Sequence, residues 1–431
     1  MTHSCNKEAA IAQRPGNVMI YMTLLIFLLL LALLSYAVYY DKYYVDFSSL
    51  YMAMKAVWEN DNPYRVLYTE YLPVHKKLPA NLNPPFTLLL FSPFYFLPYH
   101  LGLMLYFFGA MFIGLVGAAI CGHYFLERTF WKRYSWLLLL FYTSVFSTLA
   151  GISIAQLGAP LFFLLMLGYH CYRQNKGIAS AVCFALAIAL KLFPGVLLFF
   201  FLQQKRYRIF FLTCGFIVLF LTLPFFFFRL DLYQLYFSMI HRVMWYGDSW
   251  NASFYGILMR YFVDTRYTNI DLWPYQLIWL SVVLPSLFLY TKSQRFARDE
   301  QCSFAMALVL MILLSPFGWL YYLSLLMPAF ALVFHESERR GLCAMLLWFL
   351  ALALTNFPMD YVVDAIMGAT FYKLTFYSLY SYGVLLLAYL MIRRPNVKAQ
   401  TQYGREVLFW PVVCNQLFGL MVFINIVITR F

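Results

Sequence analysis

The chain has 431 residues, of which 63% are hydrophobic and only 11% charged. A soluble domain carries about 25% charged residues, so this composition excludes a water-soluble globular fold and points to lipid as the solvent. The net charge of +13 does not indicate a nucleic-acid partner, because the basic residues fall in short gaps between apolar runs, the pattern of topology determinants.

The first 17 positions (1–17) are polar and include Lys7 and Arg14. The apolar run Val18 to Val38 that follows is long for a signal-peptide core and right for a membrane span. It is expected to be an uncleaved anchor with a cytoplasmic N-terminus. Further apolar runs lie near 84–98, 101–126, 134–149, 152–172, 177–202, 209–228, 274–291, 303–334, 342–357, 371–392 and 407–429. Two of them are irregular. The 84–98 run is short and holds Pro85, Pro93 and Pro98, and the 303–334 run is broken by Ser315-Pro316-Phe317-Gly318. Broken helices persist in a bilayer only where protein or a water-filled cavity covers the freed backbone, so these breaks point to an internal site.

Two long polar segments, 39–83 and 229–272, each balance acidic against basic residues. Neutral loops fit the outer face, whereas Lys205-Arg206-Tyr207-Arg208, Lys292 to Arg298 and Arg393 to Lys398 fit the cytoplasm. One stretch leaves a choice. If every run from 84 to 204 crosses, the basic segments Glu127 to Arg133 and Arg173 to Lys176 land outside. If 84–98 and 177–202 are re-entrant, both land inside. The 46–58 stretch has helical spacing with Asp46 as a candidate N-cap and a stop at Asn62-Pro63. The 229–272 loop, dense in Tyr, Trp and Met, suggests a helix on the membrane surface.

No G-x-x-x-x-G-K-[ST], G-x-G-x-x-G, D-x-D or H-E-x-x-H motif is present, so a substrate must arrive already activated. No nucleotide or other cofactor and no metal is called for. The eight scattered Cys, without a C-x-x-C, read as buried hydrophobes. Asp46 at the outer rim could accept a proton from a hydroxyl nucleophile, or serve only as a helix cap. Lys191, deep in an apolar run beside Pro194, is a functional candidate with an anion such as a lipid phosphate as its partner. A snorkelling role is the alternative. Gln156 is a polar side chain in an apolar segment, suited to a site or to helix–helix bonding. Asn251-Ala252-Ser253 formally matches a glycosylation acceptor and is read first as a loop or site feature. Ser315-Pro316 followed by Trp319, Tyr321 and Tyr322 supplies a kink with polar-tipped aromatics that could wall a sugar or headgroup.

Taken in order, these pieces resemble the family 87 glycosyltransferases of the GT-C fold. The resemblance rests on Asp46-Phe47 with Tyr51, Ala53 and Asn62-Pro63-Tyr64. It continues through Asn83-Pro84-Pro85-Phe86, Ser92-Pro93, Leu97-Pro98, Gln156, Leu190-Lys191 with Pro194, and Lys205-Arg206-Tyr207-Arg208. Asn251-x-Ser253 and Ser315-Pro316 with Trp319 complete it. It spans residues 18 to 335. Two positions depart from the family pattern: Ala155 replaces the glycine usually paired with the glutamine, and Tyr321-Tyr322 stands where a histidine often follows the tryptophan.

The resemblance implies an all-α polytopic membrane protein of GT-C type, with about 11–13 transmembrane helices and two large extracytoplasmic loops. A catalytic core at 18–335 would precede C-terminal transmembrane helices at 336–431. It implies transfer of a sugar, mannose first, from a polyprenyl-phosphate donor to a lipid or glycan acceptor with inversion, in the inner (plasma) membrane. Asp46 would be the general base. Lys191, Gln156, Asn251, Ser253, Trp319, Tyr322 and Arg260 would bind donor phosphate or substrate. The competing readings are a transporter or flippase of a lipid-linked substrate and an O-antigen-type polymerase.

Overall fold

The computed structural model describes residues 45–71, 76–241, 245–263, 271–357 and 370–393, with isolated positions between Tyr21 and Tyr36 and at Cys414 and Met421. The stretch 1–17, most of the 18–38 run and nearly all of the 407–429 run lie outside the described residues. What is described is built from helices. The one strand pair is short and antiparallel, β1 (Tyr68–Thr69) against β2 (Lys76–Lys77), in the first polar loop.

Helix α1 (Val45–Trp58) opens that loop with Asp46 in its first turn, where a carboxylate suits the positive end of the helix dipole. It ends where Asn60 turns left-handed, just before Asn62-Pro63. Its inner face buries Phe47, Leu50, Met54 and Val57, each worth roughly 1.5–3 kcal/mol when withdrawn from water. The proline-rich run then forms α2 (Pro85–Phe91) and a 3-10 turn at Ser92–Phe96. Both lean on α1: Trp58 Nε1 donates to Ser92 Oγ at 2.9 Å and Tyr51 Oη to the Leu97 carbonyl at 2.9 Å. The 84–98 run therefore folds back along α1 instead of extending as one long helix.

The bundle follows as α3 (Tyr99–Phe125), α4 (Arg128–Ser144), α5 (Phe146–Ser153), α6 (Gly158–Arg173), α7 (Gly177–Leu190), α8 (Leu198–Gln203) and α9 (Tyr207–Thr222). The second polar loop carries α10 (Leu232–Ile240) and α11 (Phe254–Phe262). The chain continues through α12 (Trp273–Lys292), α13 (Gln294–Arg298), α14 (Glu300–Leu314), α15 (Met327–Arg340), α16 (Leu342–Thr355), α17 (Thr370–Leu374) and α18 (Leu379–Ile392). Among the described residues four helices are long and apolar enough to cross a membrane: Tyr99–Phe125, Tyr207–Phe226, Trp273–Lys292 and Thr370–Ile392. The pair α5 and α6, bent by 118°, makes a fifth if it is taken as one span. Several others are shorter apolar helices paired into hairpins. The protein is an all-α polytopic membrane protein.

Side-chain contacts decide the choice left open by the sequence. Arg206, just after α8, lies 5.7 Å from the Tyr172 ring, just before α7. The 177–203 segment thus rises and returns to the end it left. At the same end Arg173 pairs with Glu300 at 3.4 Å, and Gln301 donates to the Tyr124 carbonyl at 2.7 Å. Gln203 donates to the Ser293 carbonyl at 2.7 Å, and Arg295 bonds the Met391 carbonyl at 3.2 Å. The basic segments near 127–133, 173–176, 205–208 and 292–298 gather at one end of the bundle. The polar loops and the helix breaks lie at the other. Between them, α9 and α12 turn Phe211, Val218, Leu284, Phe288 and Leu289 outward, as helices with lipid as their solvent should.

Candidate functional site

The site forms where three breaks in the apolar helices and the second polar loop converge beneath α1. The first lies between α5 and α6. Ala155 there adopts a left-handed backbone with φ 59°, and this reversal turns Gln156 out of the helix axis. Gly158 makes the turn possible, because a Cβ at that position would stand 2.4 Å from the Tyr321 carbonyl oxygen. Tyr106 Oη donates to the Gln156 carbonyl at 2.9 Å and fixes its backbone. The Gln156 amide is then held at both ends: its Oε1 accepts from Tyr322 Oη at 3.3 Å, and its Nε2 donates to Asp46 Oδ2 at 2.8 Å.

The second break follows α7. Leu190 is the last helical residue and Lys191 is extended (φ −149°, ψ 126°). Its departure frees the Leu190 carbonyl, which accepts from Thr87 Oγ1 on α2 at 2.8 Å. Pro194 then starts a tight turn at Phe193–Leu197, and the Phe193 ring packs 4.8 Å from Tyr322. Lys191 Nζ sits 5.9 Å from the Trp319 ring centroid, a cation–π geometry.

Asp46, Gln156 and Lys191 are all half-buried. Lys191 and Asp46 act on each other electrostatically but form no ion pair. In a low-dielectric setting opposite charges attract strongly, so each favours the charged form of the other. Burial raises the Asp46 carboxyl above its usual range, while the Gln156 bond and the Lys191 charge favour its ionised form. A carboxylate with a raised affinity for protons, near a cation it does not pair with, is a suitable proton acceptor.

The third break lies against the second loop. The Ser315–Trp319 stretch forms an antiparallel bridge with the second loop, in which Ala252 N donates to the Gly318 carbonyl and Leu320 N to the Trp250 carbonyl, both at 2.8 Å. Asn251, wholly buried, clamps this junction by donating from Nδ2 to the Tyr246 carbonyl at 2.8 Å and the Pro316 carbonyl at 2.9 Å. Ser253 caps α11, its Oγ accepting from Gly256 N at 3.0 Å. Both side chains are consumed by the fold, which also takes Asn251 out of reach as a surface acceptor for a glycan. Trp319 differs. It is buried, yet its Nε1 has no hydrogen-bond partner among the described residues.

Arg260 does not contact Asp46, Gln156 or Lys191. It is wholly buried and spends its guanidinium on the carbonyls of Gly247 (3.0 Å), Asp248 (2.9 Å) and Asn251 (2.8 Å) and on Ser378 Oγ (2.6 Å). It braces the second loop to the start of α18. The neighbouring Asp248 carboxyl is pushed up to about 7 by burial, with the Arg260 charge opposing. Sequence reasoning missed Tyr106 and Thr87. Each is a hydroxyl in or beside an apolar run, a signal too common to single either out without the contact it makes. Among the described residues no three His, Cys, Asp or Glu side chains cluster to hold a metal ion.

The sequence profile of glycosyltransferase family 87 matches residues 81–316, more than half of the chain. The chain belongs to glycosyltransferase family 87. No curated protein and no solved structure matches it significantly. The match is narrower than the resemblance at 18–335. It contains Gln156, Lys191, Asn251, Ser253 and Arg260 but stops short of Asp46 on one side and of Trp319 and Tyr322 on the other. Those three are tied to Gln156 and Lys191 of this family 87 glycosyltransferase through the contacts above. The protein is accordingly a membrane glycosyltransferase.

Proposed function

We propose that this glycosyltransferase moves a sugar, mannose first, from a polyprenyl-phosphate donor to a hydroxyl of a lipid or glycan acceptor, with inversion. One observation carries the reading: Asp46, held by Gln156 Nε2 at 2.8 Å, lies within electrostatic reach of Lys191, which stands at a helix break, and the two form no ion pair.

The donor phosphate is set beside Lys191, which lies where a lipid-linked group could reach it from the bilayer. Trp319 Nε1, lacking a partner of its own, supplies a second donor beside that cation. Asp46 takes the proton of the acceptor hydroxyl as its oxygen attacks the anomeric carbon from the face opposite the phosphate. The bond from that carbon to the phosphate oxygen breaks, and the electron pair leaves with the polyprenyl phosphate. Lys191 meets the charge that develops there, the general role of preorganised cations in such a step. Gln156 holds Asp46 in position, and Tyr322 holds Gln156. Asn251, Ser253 and Arg260 serve indirectly, by fixing the loop that presents Trp319.

We place the basic end of the bundle in the cytoplasm and the site at the outer face of the plasma membrane, with the N-terminus cytoplasmic, following the distribution of Lys and Arg. We take 18–335 as the core and 336–431 as C-terminal helices, of which α16 packs on α15 and α18 on α14.

The test is purified protein incubated with synthetic polyprenyl-phosphate mannose and a panel of other polyprenyl-phosphate sugars, with free polyprenyl phosphate as the readout. Release from one donor supports the reading. A donor left intact in every case, but moved between leaflets in vesicles, supports the transporter reading instead.

A further inference from the structure

A small cavity lies behind the turn that carries Tyr322, between α4, α5, the Leu320–Leu326 turn, α15 and the end of α16. Water centres have about 20 Å³ in it, where one molecule needs roughly 10–15 Å³. Four lining side chains end in polar atoms that make no close hydrogen bond among the described residues: Tyr142 Oη, Ser147 Oγ, Thr148 Oγ1 and Asn356 Nδ2, the Tyr142 and Thr148 hydroxyls being near enough to act on each other. All four residues are more than nine-tenths buried. Four such groups around one space in an apolar bundle are not a chance scatter, since buried polar groups are ordinarily bonded.

Two of these groups are also fixed. The Tyr142 ring stacks on Phe162 at 5.3 Å and 16°, and its hydroxyl fills the space left by Gly114, where a Cβ would meet it at 2.3 Å. Asn356 Oδ1 accepts from Phe146 N at 3.0 Å, which commits the amide plane and leaves Nδ2 as the unpaired end. Ser147 and Thr148 stand in the first turn of α5.

We infer that this cavity is a hydration site holding one ordered water bonded to Tyr142, Ser147, Thr148 and Asn356. The ligand is neutral, because no Lys, Arg, His, Asp or Glu lines the space and an ion there would be buried uncompensated. It both donates and accepts: the Asn356 Nδ2 end can only donate, whereas the three hydroxyls do either. The water ties the corner between α4 and α5 to the end of α16, behind the elements that lead into Gln156 and Tyr322. It requires no role for any residue assigned to sugar transfer.

The test is a high-resolution cryo-EM map of the whole protein, joined to thermal unfolding of Thr148→Val, Ser147→Ala and the double variant in detergent. A peak within hydrogen-bond distance of at least three of the four atoms is expected. Each single variant should melt lower than wild type, and the double should lose less than the two losses added, because both act on one site. A map in which the four groups bond one another with no solvent peak overturns the proposal. So does a double variant that melts at or above wild type, and where a variant fails to fold the wild-type map decides alone.

Discussion

Gln156 Nε2 donates to Asp46 Oδ2 at 2.8 Å although 110 positions separate the two residues. The bond favours the ionised carboxylate against the burial that raises its pKa. If Asp46 works as a base it must be deprotonated, so kcat/KM should fall as the pH drops through its pKa. Gln156→Leu removes one stabiliser of the charged form, which raises that pKa further and moves the acid limb to higher pH. Activity lost at neutral pH should recover on the alkaline side. An acid limb that stays in place would separate Gln156 from Asp46.

Lys191 is expected to serve the donor. Lys191→Ala should lower kcat by about 10²–10³-fold, the range seen when one stabiliser of developing charge is deleted. The acceptor KM should be nearly unchanged. Steady-state kinetics with each substrate varied in turn would check this, and equal damage to both KM values would point to a structural lysine.

Ala155 holds a left-handed backbone with φ 59°, which costs a residue with a Cβ roughly 1–2 kcal/mol. Glycine avoids that cost but gives the unfolded chain about 0.4–1 kcal/mol of extra freedom. Ala155→Gly should therefore leave stability unchanged or raise it by up to about 1.6 kcal/mol, with transfer retained. A clear drop in thermal midpoint would contradict the strain.

Arg260 satisfies three carbonyls and one hydroxyl in full burial. Arg260→Lys keeps the charge but not the planar fork, and should still cost about 3 kcal/mol or more, since charged hydrogen bonds are worth roughly 1.5–3 kcal/mol each. Thermal unfolding of this variant and of Arg260→Ala would check it. A lysine that restores full stability would show that charge alone is needed.

Much of the architecture is legible in the chain. Apolar runs give the helices, and the prolines at 85, 93, 98, 194 and 316 mark where they break. Lys191 and Gln156 stand out because polar groups in apolar runs need a reason. The path of 84–204 is less legible. Its 84–98 run falls short of a span by only a few residues, its 177–202 run is long enough for one, and it takes the contact of Arg206 with Tyr172 to show that 177–203 returns. Arg260 illustrates another limit. An arginine in an outer loop has the chemistry of a phosphate ligand, but its acceptors are main-chain carbonyls 9 to 13 positions away and a serine 118 positions on. Nothing in residue type shows which carbonyls a loop leaves unpaired. The cavity beside Asn356 is hidden for the same reason, as its groups come from three separate helices.

The most direct measurement is sugar transfer by Asp46→Asn, which keeps the shape of the side chain and removes its basicity. A base at this position predicts a fall of about 10²–10⁴-fold in transfer, with expression and donor binding intact. Transfer by the Asp46→Asn variant at the wild-type rate would contradict it.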